Sequence, residues 1–263
     1  MTDRFAAAAA AIADARLSAR RLGELPEEIR PRNEGEAYQV QRLVHEKLSA
    51  GAFGKRVGYK IACTTKVMQD YLRIPNPCSA GVFAAGVHRS GAILRQDDFR
   101  RIGIECEIAV RFGRDLPSLD RDFTPSDVRD AVATYMPAVE IVDDRYVDWR
   151  TTDTPTLIAD DFFAAGCVLG EPVYADDVGD IAATIGRTTI NQVEVGRGIG
   201  KDVMGHPLNA LAWLANTLAA RGIALKAGEI VLTGSLVETK WLNRGDEATI
   251  DVSGLGKIDM RTA

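Results

Sequence analysis

Ile104-Glu105-Cys106-Glu107-Ile108-Ala109-Val110 is an apolar run interrupted by two carboxylates two positions apart. Its length and composition read as a strand, and in a strand side chains at i and i+2 share a face, about 6.6 Å apart along the chain. Glu105 and Glu107 therefore point one way and Cys106 the other. A second apolar strand, Ala138-Val139-Glu140-Ile141-Val142, carries one glutamate at its centre.

Two arrangements satisfy this pattern. In one, the first strand lies at a sheet edge with Glu105 and Glu107 in water. In the other, Glu140 joins them and three carboxylates share one site. Each like-charged pair about 5 Å apart then repels by about 3 kcal/mol at an effective dielectric of 20. Three such pairs approach the stability of a whole domain, so convergence requires a cation. Oxygen-only ligation, without His or Cys nearby, favours the hard ions Mg²⁺ or Mn²⁺ over zinc.

Working outward, Val57–Cys63, Ile104–Phe112, Met136–Val142, Phe162–Leu169, Glu229–Thr233 and Glu247–Val252 read as strands separated by Gly, Pro and Asp. Helices are expected over the first 22 residues, which are alanine-rich, and from Asn33 as N-cap to Gly51. Two more are expected at Ser126–Tyr135 and His206–Arg221, the latter with Pro207 in its first turn and Gly222 beyond its end. Strands and helices do not alternate regularly, which disfavours a doubly wound parallel sheet. The expected class is α+β: a small helical N-terminal lobe, residues 1–56, followed by a mixed, sheet-rich domain, residues 57–263.

The chain's 263 residues carry 32 Lys plus Arg against 37 Asp plus Glu, a net charge of −5, so no basic excess exists to pair with nucleic acid. The Ala6–Ala13 run is too short to span a membrane, and four dispersed cysteines with no CxxC pair point to a reducing cytoplasm. His45, His88 and His206 share no metal-ligand or triad spacing, which leaves the chemistry to carboxylates.

Glu105-x-Glu107 and Glu140-Ile-Val-Asp143-x-Arg145 occur together with Gly58-Tyr59-Lys60-Ile61, Gly205-His206-Pro207-Leu208, Trp213-Leu214-Ala215 and the run Leu225–Ser235 (LKAGEIVLTGS). In this order they resemble the 2-keto-4-pentenoate hydratase/4-oxalocrotonate decarboxylase family of the fumarylacetoacetate hydrolase superfamily. The resemblance implies a divalent metal, Mg²⁺ or Mn²⁺, held by Glu105, Glu107 and Glu140, with a small 2-oxo or 2-hydroxy acid chelating it through its carboxylate and 2-oxygen. Lys60 would offset the surplus negative charge and carry a proton if burial lowers its pKa; strand alternation equally allows a solvent-facing lysine. Thr233, Gly234 and Ser235 would hold a substrate carboxylate at the end of their strand. Asp160 and Gln69 would line the substrate site, although Asp160 and Asp161 also suit helix capping. Arg145 would neutralise Asp143 or Asp144.

The resemblance further implies a homo-oligomer, with spare apolar surface expected on the two N-terminal helices and the Trp213 helix. Two departures stand out. The family's Ala-Asp-Asn reads Ala159-Asp160-Asp161 here, and its Pro-Asp-aromatic-Gly, whose Asp is implicated in proton transfer, reads Pro77-Cys78-Ser79-Ala80-Gly81. The leading expectation is a metal-dependent lyase hydrating a 2-hydroxydienoate or 2-oxoenoate in aromatic catabolism. The alternatives are decarboxylation of a 4-oxalocrotonate-like diacid and a non-catalytic subunit that binds a 2-oxo acid. A C–C hydrolase ranks lower, because His45-Glu46, the only adjacent His-Glu pair, lies mid-helix.

Overall fold

In the computed structural model, which describes residues 2–117 and 120–263, the glutamate strands lie side by side at the centre of the larger of two sheets. Strand β1 (Arg56–Ala62) pairs with β2 (Cys78–Phe83). The short β3 (Val87–Arg89) and β4 (Ala92–Leu94) precede the long β5 (Ile102–Phe112) and β6 (Val132–Asp143). Then follow β7 (Ala164–Leu169), β8 (Val173–Tyr174), β9 (Ile185–Ile190), β10 (Val193–Ile199), β11 (Ile230–Trp241), β12 (Glu247–Val252) and β13 (Gly256–Thr262). The larger sheet runs β2-β1-β11-β5-β6-β7-β3 with β8 paired to β6; the smaller runs β10-β9-β12-β13-β4. Most neighbours are antiparallel, while β1–β11, β3–β7 and β13–β4 are parallel. The class is α+β, as expected.

The position of β5 between β11 and β6 removes the edge-strand reading of Glu105 and Glu107. Cys106 faces the main core with Ile104, Ile108 and Val139, and packing between the two sheets fills that face. The opposite face of the same strands carries the glutamates. Helix α6 (Pro207–Ala219) covers part of the core with Leu208, Leu211, Leu214 and Leu218. His206 caps it, its Nδ1 accepting from Leu208 N at 3.0 Å, and Gly222 takes a left-handed φ of 71° beyond its end.

Helices α1 (Thr2–Leu17) and α2 (Glu34–Ala50) pack on each other, and α2 packs on α5 (Thr154–Ala159). Asn33 caps α2 by accepting from Glu36 N. Their apolar faces share one buried cluster with Leu157, Ile158 and Phe162, so the surface expected to be spare on these helices is consumed inside the chain, as is that of α6. Exposed apolar side chains include Leu17 at the end of α1 and, on the short α3 (Lys66–Leu72), Val67, Met68 and Tyr71.

Several assignments differ from the sequence reading, the first helix among them, since it stops at Leu17 rather than running to residue 22. Ser126–Tyr135 is not one helix: α4 spans Pro125–Arg129, and from Val132 the chain is strand. The apolar residues Val132, Tyr135 and Met136 are claimed by the sheet, and tertiary pairing overrides local propensity. The strand expected from Phe162 begins at Ala164, because Asp161, Phe162 and Phe163 form a left-handed turn with φ of 60°, 44° and 65°.

Ile141 is fully buried at the centre of β6. Ile141→Ala should lower unfolding stability by about 2 to 5 kcal/mol, read from urea midpoints at unchanged m-value; a loss below 1 kcal/mol would show that the sheet closes over the gap.

Candidate metal centre

Register brings the three glutamates together. Glu105 lies directly opposite Glu140 across the β5–β6 ladder, and Glu107 lies opposite Ala138 on the same face. One oxygen from each of Glu105, Glu107 and Glu140 falls within a 4.8 Å cluster. Glu107 is fully buried and Glu140 nearly so, while Glu105 is partly exposed. Glu107 Oε2 accepts from Gly234 N at 2.8 Å, while its Oε1 is buried with no hydrogen-bond partner. Glu105 accepts from the Thr239 hydroxyl. An orphaned carboxylate oxygen in a cluster of hard donors fits a divalent cation.

Lys60, 4% exposed, reaches the cluster from β1, which excludes the solvent-facing alternative. Its Nζ sits 2.6 Å from Glu140 Oε1 and donates to Phe162 O at 2.7 Å. The first contact is an ion pair rather than an aligned hydrogen bond, since Glu140 Oε1 has no well-directed donor. Burial pulls the Lys60 ammonium down, but Glu140, Glu105 and Glu107 beside it outweigh burial and hold it above the ordinary lysine range. The lysine thus keeps its proton, contrary to a burial-lowered base.

Burial, reinforced by Glu140 and Glu105, pushes Glu107 well above the usual carboxylate range. Burial also raises Glu140, to about 7, even though Lys60 opposes it and Glu105 adds to the rise. One ammonium does not balance three carboxylates.

The remaining expected site residues are placed differently. Strand β11 does not end at Thr233 but runs to Trp241 with irregular register past Leu232. Thr233 Oγ1 donates to Ile108 O and Ser235 Oγ to Val237 O, so both hydroxyls serve the sheet. Gly234 has a φ of 121°, and a Cβ there would meet the Thr64 side chain at 2.5 Å; this turns its N–H onto Glu107. Gln69 on α3 donates to Cys63 O. Asp160 is buried and paired with Arg145 at 2.8 Å. Asp143 instead accepts the amides of Arg100 and Arg101, so Arg145 serves Asp160 rather than Asp143.

Sequence reading missed the partners of Asp161. Its fully buried carboxylate meets His45 Nε2 at 2.7 Å, Arg16 Nη1 at 2.8 Å and Gly81 N at 3.0 Å. Burial works against this charge, but His45, Arg16 and the amide overcome it and hold Asp161 well below the usual carboxylate range. These contacts fix the turn that aims Phe162 O at Lys60. A doubled aspartate inside an apolar stretch was the available signal. His45 and Glu46 diverge, with Glu46 paired to Arg42 at the surface. Cys78 is buried, and a hydrogen bond with Cys63 together with burial raises its thiol, which leaves it protonated.

A cavity of about 440 Å³ opens beside Lys60 and Glu140, walled by Phe53, Val82, Phe83 and Ala164, with Arg16 also in the wall.

Residues 74–262 match the fumarylacetoacetate (FAA) hydrolase C-terminal family model. The chain is 34% identical over 249 residues to a 2-hydroxyhexa-2,4-dienoate hydratase of Comamonas testosteroni, covering 93% of this chain and 92% of the relative. It is 32% identical over 254 residues to 2-keto-4-pentenoate hydratase 1 of Dechloromonas aromatica, covering 96% and 94%. Among solved structures, 4-oxalocrotonate decarboxylase of Pseudomonas putida, complexed with magnesium and adipate, superposes with a TM-score of 0.92 at 25% identity, covering 100% of this chain and 98% of that one.

Without metal, protons on Glu107 and Glu140 favour the folded state. Their folded-state pKa values lie above the ordinary 4.5, so this contribution is complete below about 4.5 and is lost as pH rises, through about 7 for Glu140. Chelator-treated protein should therefore lose urea stability between pH 5 and pH 8, and Glu107→Gln should flatten the loss; parallel profiles would exclude Glu107 as its source.

Proposed function

Since the chain belongs to the fumarylacetoacetate hydrolase family, we propose that it is a metal-dependent lyase that adds water to a 2-hydroxydienoate or its 2-oxoenoate tautomer in the breakdown of aromatic compounds. The observation that carries this reading is the cluster of buried Glu107 and Glu140 with half-buried Glu105, with Lys60 beside it, opening on a largely apolar cavity. The named hydratases align over nearly the whole chain and support the same reaction.

Glu105, Glu107 and Glu140 would hold Mg²⁺ or Mn²⁺, and the ion would supply positive charge that polarises the substrate's 2-oxygen and stabilises its enolate. Lys60 Nζ, fixed between Glu140 and Phe162 O, presents a proton beside the bound acid. Once the carboxylates are neutralised, the field that holds this proton weakens while burial still opposes the charge, so Lys60 becomes competent to exchange it. The buried Gly234 amide keeps Glu107 aimed, and the aromatic walls limit the water that reaches the substrate's chain.

A second reading, decarboxylation of a 2-oxo diacid, is favoured by the close superposition on 4-oxalocrotonate decarboxylase. Both reactions pass through a stabilised enolate, so the metal cluster alone does not separate them. We place the enzyme in the cytoplasm, in keeping with four free cysteines, and as a homo-oligomer in which Val67, Met68 and Tyr71 of α3 supply apolar surface.

Dienol absorbance with 2-hydroxypenta-2,4-dienoate and CO₂ release from 2-oxohex-3-enedioate should be followed separately. Dienol loss without CO₂ is expected; CO₂ release from the diacid would favour the decarboxylase, and inertness to both the non-catalytic binding subunit. Lys60→Ala should reduce turnover by about a hundredfold or more while retaining the rise in Tm caused by Mg²⁺. Unchanged turnover would remove Lys60 from the mechanism.

The metal-induced rise in Tm should itself grow from pH 6 to pH 8, because Glu107 and Glu140, the latter raised to about 7, must release protons to bind a cation. Glu107→Gln should lose most of that rise, and equal shifts in both proteins would exclude Glu107 as a ligand.

A further inference from the structure

The cavity that begins at Lys60 and Glu140 has one buried cation in its wall away from the glutamates. Arg16, carried in by the last turn of α1, has a side chain only 4% exposed. Its guanidinium lies 5.2 Å from the Phe53 ring centroid and 5.8 Å from that of Phe83. A buried arginine facing a substrate cavity is ordinarily a receptor for a carboxylate. Here that capacity is taken, because Nη1 donates to Asp161 Oδ2 at 2.8 Å and lies 3.7 Å from Asp160 Oδ1.

Asp160 is in turn held by Arg145 at 2.8 Å, so two arginines face two aspartates and the buried network has no arginine charge to spare. Phe53, Val82, Phe83, Phe99 and Ala164 supply most of the surrounding wall, and Asp98 adds a further carboxylate at an exposed position. Arg20 and Arg100 line a neighbouring cleft of about 110 Å³ that shares Arg16, and Arg20 is already paired with Asp14 at the surface.

We infer that Asp161 is a specificity-determining residue: by occupying Arg16 it makes the tail end of the cavity select a 2-oxo acid with an uncharged tail over one with a distal carboxylate. The inference rests on the proposed reading of the glutamate cluster as the site for the acid's 2-oxo carboxylate. A tail carboxylate entering beside Arg16 approaches a guanidinium already paired with the fully buried Asp161 carboxylate behind it, where like charges shielded from water repel strongly. A hydrocarbon tail instead buries apolar surface against the phenylalanines. Asp161 acts on the tail through Arg16, and its contacts to His45 and Gly81 N hold it in place.

Isothermal titration of the full chain with Mg²⁺ tests this with three probes. Pyruvate has the 2-oxo acid head alone, while 2-oxohexanoate and 2-oxohexanedioate share one chain length and differ in a terminal methyl or carboxylate. The wild type should bind 2-oxohexanoate at least about tenfold more tightly than the diacid. Asp161→Asn preserves shape and suits the left-handed backbone. It should shrink that preference at least about fivefold through tighter diacid binding, each affinity being read relative to pyruvate bound by the same variant, which corrects for any change in how the 161–163 turn holds Lys60.

Should Asp161→Asn not fold, Asp161→Ser enters the same comparison with the same expectation. Equal or tighter diacid binding by the wild type, as a carboxylate site at His88, which also lines the cavity, would produce, overturns the inference. A folded variant that retains the wild-type ratio does so too. In both cases normal Mg²⁺-dependent pyruvate binding leaves the proposed function standing, whereas no such binding overturns that reading and the inference with it.

Discussion

Three carboxylates on one face of a central β ladder set the terms for the rest of the site. Glu105 and Glu140 are cross-strand neighbours and Glu107 is one pleat along, so register alone forces their proximity. Burial and mutual repulsion push Glu107 and Glu140 above the ordinary carboxylate range, and Lys60 offsets only part of the charge. An unpartnered Glu107 oxygen adds to the cost of this cluster and fits the cation proposed for it. Where stability alone is the requirement, an apolar face serves better, as the opposite side of the same strands demonstrates with Cys106, Ile108 and Val139.

That arrangement needs rigid support, and the turn at 161–163 supplies part of it. Three successive non-glycine residues in left-handed conformation cost about 1 to 2 kcal/mol each. The cost is offset by the ion pairs of Asp160 with Arg145 and Asp161 with Arg16, and by the burial of Phe162. The turn delivers a backbone carbonyl to Lys60 at 2.7 Å, which fixes the lysine in a way no side chain on β1 could. Arg16 and His45 belong to α1 and α2, so the helical segment takes part in shaping the site through the same aspartate.

Gly81 shows how closely the parts fit. A Cβ at that position would meet the His45 ring at 2.8 Å, so the bare backbone lets the imidazole lie against β2 while the Gly81 amide and His45 Nε2 both reach one Asp161 oxygen. The free edge of β2 is further capped by the Tyr38 hydroxyl, which accepts from Ser79 N, and by Gln41, which donates to Ser79 O. Side chains of α2 thereby satisfy a strand edge that would otherwise invite another chain.

The sequence by itself determined the strands that carry the glutamates, the face those side chains share, and the ends of α2 and α6, because side-chain alternation and capping are local properties of the chain. It also contained the motif set that marks the family. It left open whether β5 was an edge or a central strand, and whether Lys60 faced solvent or the carboxylates, since both alternatives have the same period of two. It misassigned Ser126–Tyr135, where sheet pairing captured residues of helical appearance, and it placed a strand end at Thr233 where the ladder continues through an irregular register. Only the tertiary structure decided these points, and only it revealed Arg16, His45 and Asp161 as one site, residues separated by up to 145 positions. Their meeting depends on how α1 packs on α2 and α2 packs against α5 and β2, a long-range fit between surfaces that no local pattern encodes.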